Sequence, residues 1–340
     1  MTKALPARAR GRTYAPWLAF VVFAALLLLL PTLLHASFGQ VSVSYLSLAT
    51  NALTLAILAL SWDILARTGQ LSLAHAAFYG AGAYTVAILG RLTEWPLGIG
   101  IPLGGLVAVL LALFLGSVTL RLRGIYFAIA TLSFTEVLRA VVQQLPPRIA
   151  GGNAGVNVSA LFRPEFAEGM ERWELAFARN EQYFLVYAGV LLLSILISLL
   201  IGRSRLKQAF TALRTNEEVA EVMGVRPARN KLLAFVLSSS LVGLLGAVEA
   251  HRIGSVNPFE TFGVGTTVLA LVTPIFGGLY TTLGPVLGAG LLAGLEETLK
   301  RTVESGYLIG YGVVLVLSVL LMPQGVVGLL RGVWRRGRGR

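Results

Sequence analysis

Residues 17–34 read WLAFVVFAALLLLLPTLL, a run with no charged residue. A helix crossing the hydrocarbon core of a bilayer needs about 20 mostly apolar residues, so this run is long enough to span. Hydropathy and charge breaks mark nine further stretches of the same kind: 43–62, 71–90, 97–120, 125–145, 183–202, 231–250, 262–280, 284–299 and 307–322. Strands of a membrane barrel would be shorter and would alternate strictly between apolar and polar positions, which these runs do not. The predicted fold class is therefore all-α, a polytopic helical bundle of about ten spans, with residues 1–340 forming a single membrane domain.

Composition points the same way. Apolar residues make up 56% of the chain and charged residues only 13%, about half the charge of a typical soluble domain. The formal charge of +12 would suit nucleic acid, but the positive residues sit in short segments beside apolar runs, where they set topology. With no cysteine, the chain has no disulfide framework and no thiolate nucleophile or metal ligand. Lys3, Arg8, Arg10 and Arg12 give the first run the flank of a secretory signal. Its length, and Leu34 where a cut after Ala36 would want a small residue, make it a retained span.

With ten spans and the N-terminus in the cytoplasm, inner segments hold 19 of the 28 Lys/Arg and outer segments eight, with Arg139 inside a span. That asymmetry satisfies the positive-inside rule. It puts both termini and residues 203–230 in the cytoplasm, and 146–182 outside. No soluble domain is left over, so any chemistry requiring one must come from a partner.

Residues 203–231, RSRLKQAFTALRTNEEVAEVMGVRPARNK, form a polar, helix-favouring island between two spans. Such a segment has to leave the bilayer and meet something soluble. Gln208 to Met223 would make one helix of about 24 Å, stopped by Gly224 and Pro227. A docking helix is one reading, and a solvated basic loop is the plainer one. Glu218, Val219 and Ala220, followed by Gly224, resemble the EAA-xxx-G coupling loop of ABC importer permeases.

Further stretches extend that resemblance. Residues 68–84 (TGQLSLAHAAFYGAGAY), 121–139 (RLRGIYFAIATLSFTEVLR), 151–156 (GGNAGV), 209–235, 277–290 (GGLYTTLGPVLGAG) and 320–329 (LLMPQGVVGL) are similar, in consistent order, to the branched-chain amino acid ABC transporter permeases. Within that family the chain is similar to the longer, M-type subunit of the paired permeases.

The resemblance implies a bacterial inner-membrane subunit that shares a translocation path with a second permease. It also implies two cytoplasmic ATP-binding cassette subunits as the motor and an extracytoplasmic substrate-binding protein as the supplier. Cofactors in this chain are then none, because ATP and Mg would be bound by the partner subunits. The residues agree: no G-x-x-x-x-G-K-[ST] phosphate loop and no Gly-Lys pair occurs. By the same resemblance Arg214, Glu217, Glu218 and Glu221 supply ATPase contacts, while Ala220 and Gly224 keep the helix slim for close approach.

Other residues carry weaker signals. Gly69 interrupts an apolar run, and Ser72 is placed to cap a new helix whose free N–H groups would suit a substrate carboxylate. Gln70, Ser72 and His75 are therefore candidates for the translocation path, with helix initiation and packing as the alternative. His75 by itself makes no metal site. Pro274 followed by Gly277 and Gly278 is expected to break or kink span eight, and the glycine-rich stretch 263–294 hints at a pathway-lining element, although glycines at Gly284/Gly288 and Gly290/Gly294 spacing also serve plain helix packing. Glu136 with Arg139, and Asp63 with Arg67, are spaced to neutralise each other on one helix face. Phe166, Met170, Trp173 and Phe177 recur at helical spacing, which fits an amphipathic helix on the outer surface.

Three rival functions remain weaker on the residues. An ion-coupled secondary transporter would need buried acids in several spans. An intramembrane enzyme would need a nucleophile with a base, or a histidine cluster. Permeases for urea or short amides lie within the same family, and nothing in the apolar spans reads out a side chain.

Overall fold

The computed structural model describes residues 15–93, 96–162, 171–303, 306–321 and 325–329. A helix stands on each of the ten predicted spans. In chain order the first five long helices are α1 (Ala15–Phe38), α2 (Ser42–Ala66), α3 (His75–Leu92), α4 (Gly100–Thr119) and α5 (Ile125–Gln144). A short helix α6 (Pro147–Ala150) and a strand β1 (Val156–Asn157) follow, then α7 (Arg172–Arg203). The island folds as α8 (Arg205–Thr215) and α9 (Glu217–Val222). Beyond it come α10 (Pro227–Ile253), β2 (Ser255–Val256), α11 (Pro258–Thr261), α12 (Val264–Gly277), α13 (Leu283–Thr302) and α14 (Tyr307–Leu321). Among the described residues six segments are long and apolar enough to cross a membrane, one of them, 16–66, containing both α1 and α2.

Small residues decide how closely the helices pack. A methyl group added at Gly82 of α3 would lie 2.0 Å from the Gly243 carbonyl oxygen of α10, and one at Gly246 of α10 would lie 2.0 Å from the Tyr79 carbonyl oxygen. Gly104 of α4 meets Ala247 and the backbone of Gly82 in the same way. The three helices thus touch backbone to backbone, the arrangement that small residues permit where no hydrophobic effect drives association. Gly284 and Gly288 of α13 do the same against α12, whereas Gly290 and Gly294 have open space around them.

Two expectations are revised. Span six does not begin at an interfacial helix: Glu171 and Glu174 form a reciprocal capping box, and α7 then runs unbroken through Trp173 and Phe177 into the apolar stretch. No residue between 172 and 203 interrupts its backbone bonding, so both aromatics belong to the long helix and pack against His35 of α1; Phe166 and Met170 lie outside the described residues. Nor does Pro274 break α12. The helix passes through it and stops at Gly278, whose φ of 122° only glycine adopts readily.

At the end of the bundle remote from the island, the GGNAGV turn leads into β1, which pairs antiparallel with β2 through Val156 and Val256. The Tyr183 hydroxyl donates to the His251 carbonyl at 2.8 Å, and His251 Nδ1 lies 2.7 Å from the Ser159 carbonyl. These bonds pin residues 156–161 across the ends of α7 and α10.

Candidate functional site

The island was expected to be one helix from Gln208 to Met223. The backbone instead turns at Asn216, at φ −159° and ψ 112°, and the Asn216 side chain caps α9 by accepting from the Val219 N–H at 3.1 Å. Asparagine competes with helical bonding by capping the backbone, which makes it a natural start for a new helix. Ser204 caps α8 in the same manner, accepting from Leu206 N–H.

Each half of the island is fastened to the bundle. Phe210 and Leu213 of α8 are buried, and side chains of this size contribute roughly 1.5–3 kcal/mol each when removed from water. Arg214 lays its guanidinium 3.7 Å above the Tyr280 ring. Its backbone also presses on Gly69, where an added Cβ would come within 3.1 Å of Arg214 Cα. On α9, Glu217 forms an ion pair with buried Lys231 of α10 at 2.7 Å and a longer one with Arg123 at 3.5 Å, while Glu218 meets Arg123 at 3.0 Å. The hydrogen bond to Glu218, followed by the charge of Glu217, raises the Arg123 guanidinium further above its usual value.

The expected contact residues therefore divide into two sets. Arg214, Glu217 and Ala220 face the chain's own bundle, Ala220 being only 3% exposed. Glu218 and Glu221 face out, together with three apolar side chains that composition did not single out: Val219 at 58%, Met223 at 78% and Val222 at 88% exposure. Within this chain nothing lies within 4 Å of a Cβ built on Gly224. It takes φ +86° and closes α9, with Val225 N–H bonded to the Ala220 carbonyl at 3.0 Å. That is the left-handed helix stop for which glycine is suited.

Residues 67–74 form a non-helical passage between α2 and α3, and its backbone groups are met by side chains from three other helices. Leu73 N–H donates to Thr131 Oγ1 at 2.9 Å, and Trp62 Nε1 donates to the Ser72 carbonyl at 3.0 Å. Thr267 Oγ1 accepts from Ala76 N–H at 3.1 Å and donates to the Leu73 carbonyl at 3.4 Å. The helix starts at His75 rather than Ser72, and Ser72 Oγ accepts from Ala74 N–H at 3.1 Å. Of the amides at the start of α3, that of Ala76 is occupied by the Thr267 hydroxyl, and just ahead of the helix those of Leu73 and Ala74 are occupied by Thr131 and Ser72. His75 Nε2 lies 3.2 Å from Ser238 Oγ, well inside α10 rather than at its end. Gln70 Oε1 and His75 Nδ1 are buried without a hydrogen-bond partner among the described residues. Thr131 and Thr267 were missed because a threonine in an apolar run gives no local sign of the distant amide it serves.

Gly277 and Gly278 lie at the turn between α12 and α13, away from the Gln70–His75 passage in sequence but joined to α2 through Asp63, whose Oδ1 accepts from Tyr280 N–H at 2.6 Å. The expected pairing of Asp63 with Arg67 is present at 2.8 Å, and that of Glu136 with Arg139 at 2.5 Å. No group of three or more metal-ligating side chains occurs among the described residues.

Residues 44–322 match the family described as the branched-chain amino acid transport system / permease component. The chain belongs to that family. It is 31% identical, over 86% of its own length and 72% of the relative's, to the high-affinity branched-chain amino acid transport system permease protein LivM of Salmonella typhimurium, and equally to that of Escherichia coli K12. To LivH of Salmonella typhimurium it is 22% identical, over 76% of its length and 86% of the relative's. No solved structure matches the chain. With its membrane-length helices, this family membership makes it an integral membrane permease component.

Proposed function

We propose that this chain is one of two membrane subunits of an ATP-driven importer of branched-chain amino acids, and that α9 is where cytoplasmic ATPase subunits take hold of it. The island then faces the cytoplasm, together with both termini, and the β1–β2 end faces the extracytoplasmic binding protein. ATP and Mg belong to the partners, and this chain supplies a path and a handle. Gln70 and His75, with buried polar atoms that have no partner among the described residues, are the path residues this reading favours, beside the Gly277–Gly278 turn.

The observation that carries the reading is the apolar tip of the island. Val219, Val222 and Met223 project from a segment that is otherwise charged, and exposed apolar side chains grouped on one short helix mark a protein contact. Arg214 of α8 and Glu217 of α9 hold the island to the bundle, so force applied to the tip reaches the spans as a rigid-body push.

Co-purification with the ATPase subunits tests it. Val222→Glu and Met223→Glu alter only exposed side chains and should leave the amount of chain in the membrane unchanged while abolishing ATPase capture. Full capture and full uptake by the double variant would overturn the assignment.

A further inference from the structure

The turn that joins α12 to α13 is held by a closed ring of polar contacts. Asp63 Oδ1 accepts the Tyr280 N–H at 2.6 Å, and Asp63 Oδ2 accepts from Arg67 Nε at 2.9 Å. Arg67 Nη2 donates to Ser198 Oγ of α7 at 2.8 Å, and Ser198 Oγ lies 2.7 Å from Thr282 Oγ1. One residue separates Tyr280 from Thr282, so the ring returns to the turn where it began. Asp63 is fully buried. An ionisable side chain kept inside a helical membrane bundle is costly and marks a functional position by default.

Tyr280 itself is unusual. Among the described residues it is the one non-glycine with positive φ, at 63°. A side chain in that region stores of order 1 kcal/mol of strain, and it persists where the surroundings over-determine it. Here they do, because the backbone is fixed from below by Asp63 and the ring is covered by Arg214 at 3.7 Å. Arg214 is the penultimate residue of α8 and is itself backed by Gly69, whose φ of 84° and missing side chain let the two backbones touch.

We infer that Arg214 and Tyr280, with Asp63 anchoring the turn, are the positioning residues that carry displacement of the island into the α12–α13 pair. This rests on the ATP-driven reading above and adds a route to it. A guanidinium held 3.7 Å over an aromatic ring transmits both push and pull, since separation costs the cation–π attraction and approach meets hard contact. Moving Tyr280 moves Gly278 and Gly284, where α12 and α13 pack with no side chain between them: a Cβ on Gly284 would lie 1.9 Å from the Gly278 carbonyl. The glycine contact leaves the two helices no slack to absorb the motion.

The test is the number of substrate molecules taken up per ATP hydrolysed by the assembled transporter in vesicles. Tyr280→Gly relieves the positive φ and removes the ring, so a turn that matters only for its backbone would tolerate or prefer it. The inference expects the ratio to fall roughly two- to fivefold while hydrolysis continues, the scale of a partly exposed cation–π contact. Tyr280→Phe should keep the wild-type ratio. Arg214→Leu should match Tyr280→Gly, and the two together should be no worse than either alone. A wild-type ratio in Tyr280→Gly overturns the inference and leaves the ATP-driven reading intact. Absence of ATP-dependent uptake in the wild-type complex overturns both.

Discussion

Glu217, at the first position of α9, meets the buried ammonium of Lys231, in the second turn of α10, at 2.7 Å. The pair ties the outward-facing part of the island to the helix that forms the centre of the bundle, since α10 packs against α3, α4 and α2. Lys231 sits where an apolar span begins, and Glu217 is its ion-pair partner there.

Lys231→Met removes the cation and leaves Glu217 with Arg123 alone. Breaking one side of a largely buried pair costs about 2–3 kcal/mol at an interface this close to solvent. Limited proteolysis within 204–226 should accelerate in the variant, and the exchange Glu217→Lys with Lys231→Glu should restore part of the protection. Cleavage at the wild-type rate in Lys231→Met would show that α8 alone holds the island.

Gly224→Ala places a side chain at φ +86°, where there is room but the backbone disfavours it. A cost of about 1 kcal/mol follows, and Gly224→Asn should be milder because asparagine tolerates the left-handed region. Thermal unfolding of the detergent-purified chain, monitored by fluorescence, ought to rank Gly above Asn and Asn above Ala. Equal midpoints for all three would remove the helix-stop role.

Gly82→Val drives a side chain into the Gly243 backbone, 2.0 Å from its carbonyl oxygen even at Cβ. Overpacking of this kind costs roughly 3 kcal/mol or more, so the variant should be scarce in the membrane. Gly290→Ala, with nothing within 4 Å, is the matched control and should accumulate normally. If both behave alike, the α3–α10 contact does not limit assembly.

Thr267→Val keeps the shape of the side chain but strips the Ala76 amide of its partner and leaves the Leu73 carbonyl with the Thr135 hydroxyl alone. Leaving buried backbone groups unpaired costs about 1–3 kcal/mol each. Thr267→Ser restores the hydroxyl and should recover most of the loss in the same unfolding measurement.

The bundle was legible in the sequence because each span is a predominantly apolar run bounded by charge, glycine or proline, and all ten of those runs carry helices. The island was legible as a polar segment but was read as one helix, although Asn216 ahead of Glu217 and Glu218 is an N-cap followed by acidic residues, the pattern of a helix start. What could not be read was the inward turn of Arg214 and Glu217. Their partners, Tyr280 and Lys231, lie in other spans, and local periodicity contains no information about which distant helix a charged side chain will meet. The same holds for Thr131 and Thr267, whose hydroxyls complete a backbone passage far away in the chain. Trp173 and Phe177 misled for a related reason, because an amphipathic pattern describes equally well a surface helix and the first turns of a long span that packs on a neighbour.

The central claim is that the chain does no uphill work itself and is driven through α9. Purified alone into sealed vesicles, it should accumulate no leucine against a gradient. Reconstituted with its partner permease, two ATPase subunits and the binding protein, it should accumulate leucine only when ATP is supplied on the α9 side. Concentrative uptake by the chain alone, without any nucleotide-hydrolysing partner, would contradict the account.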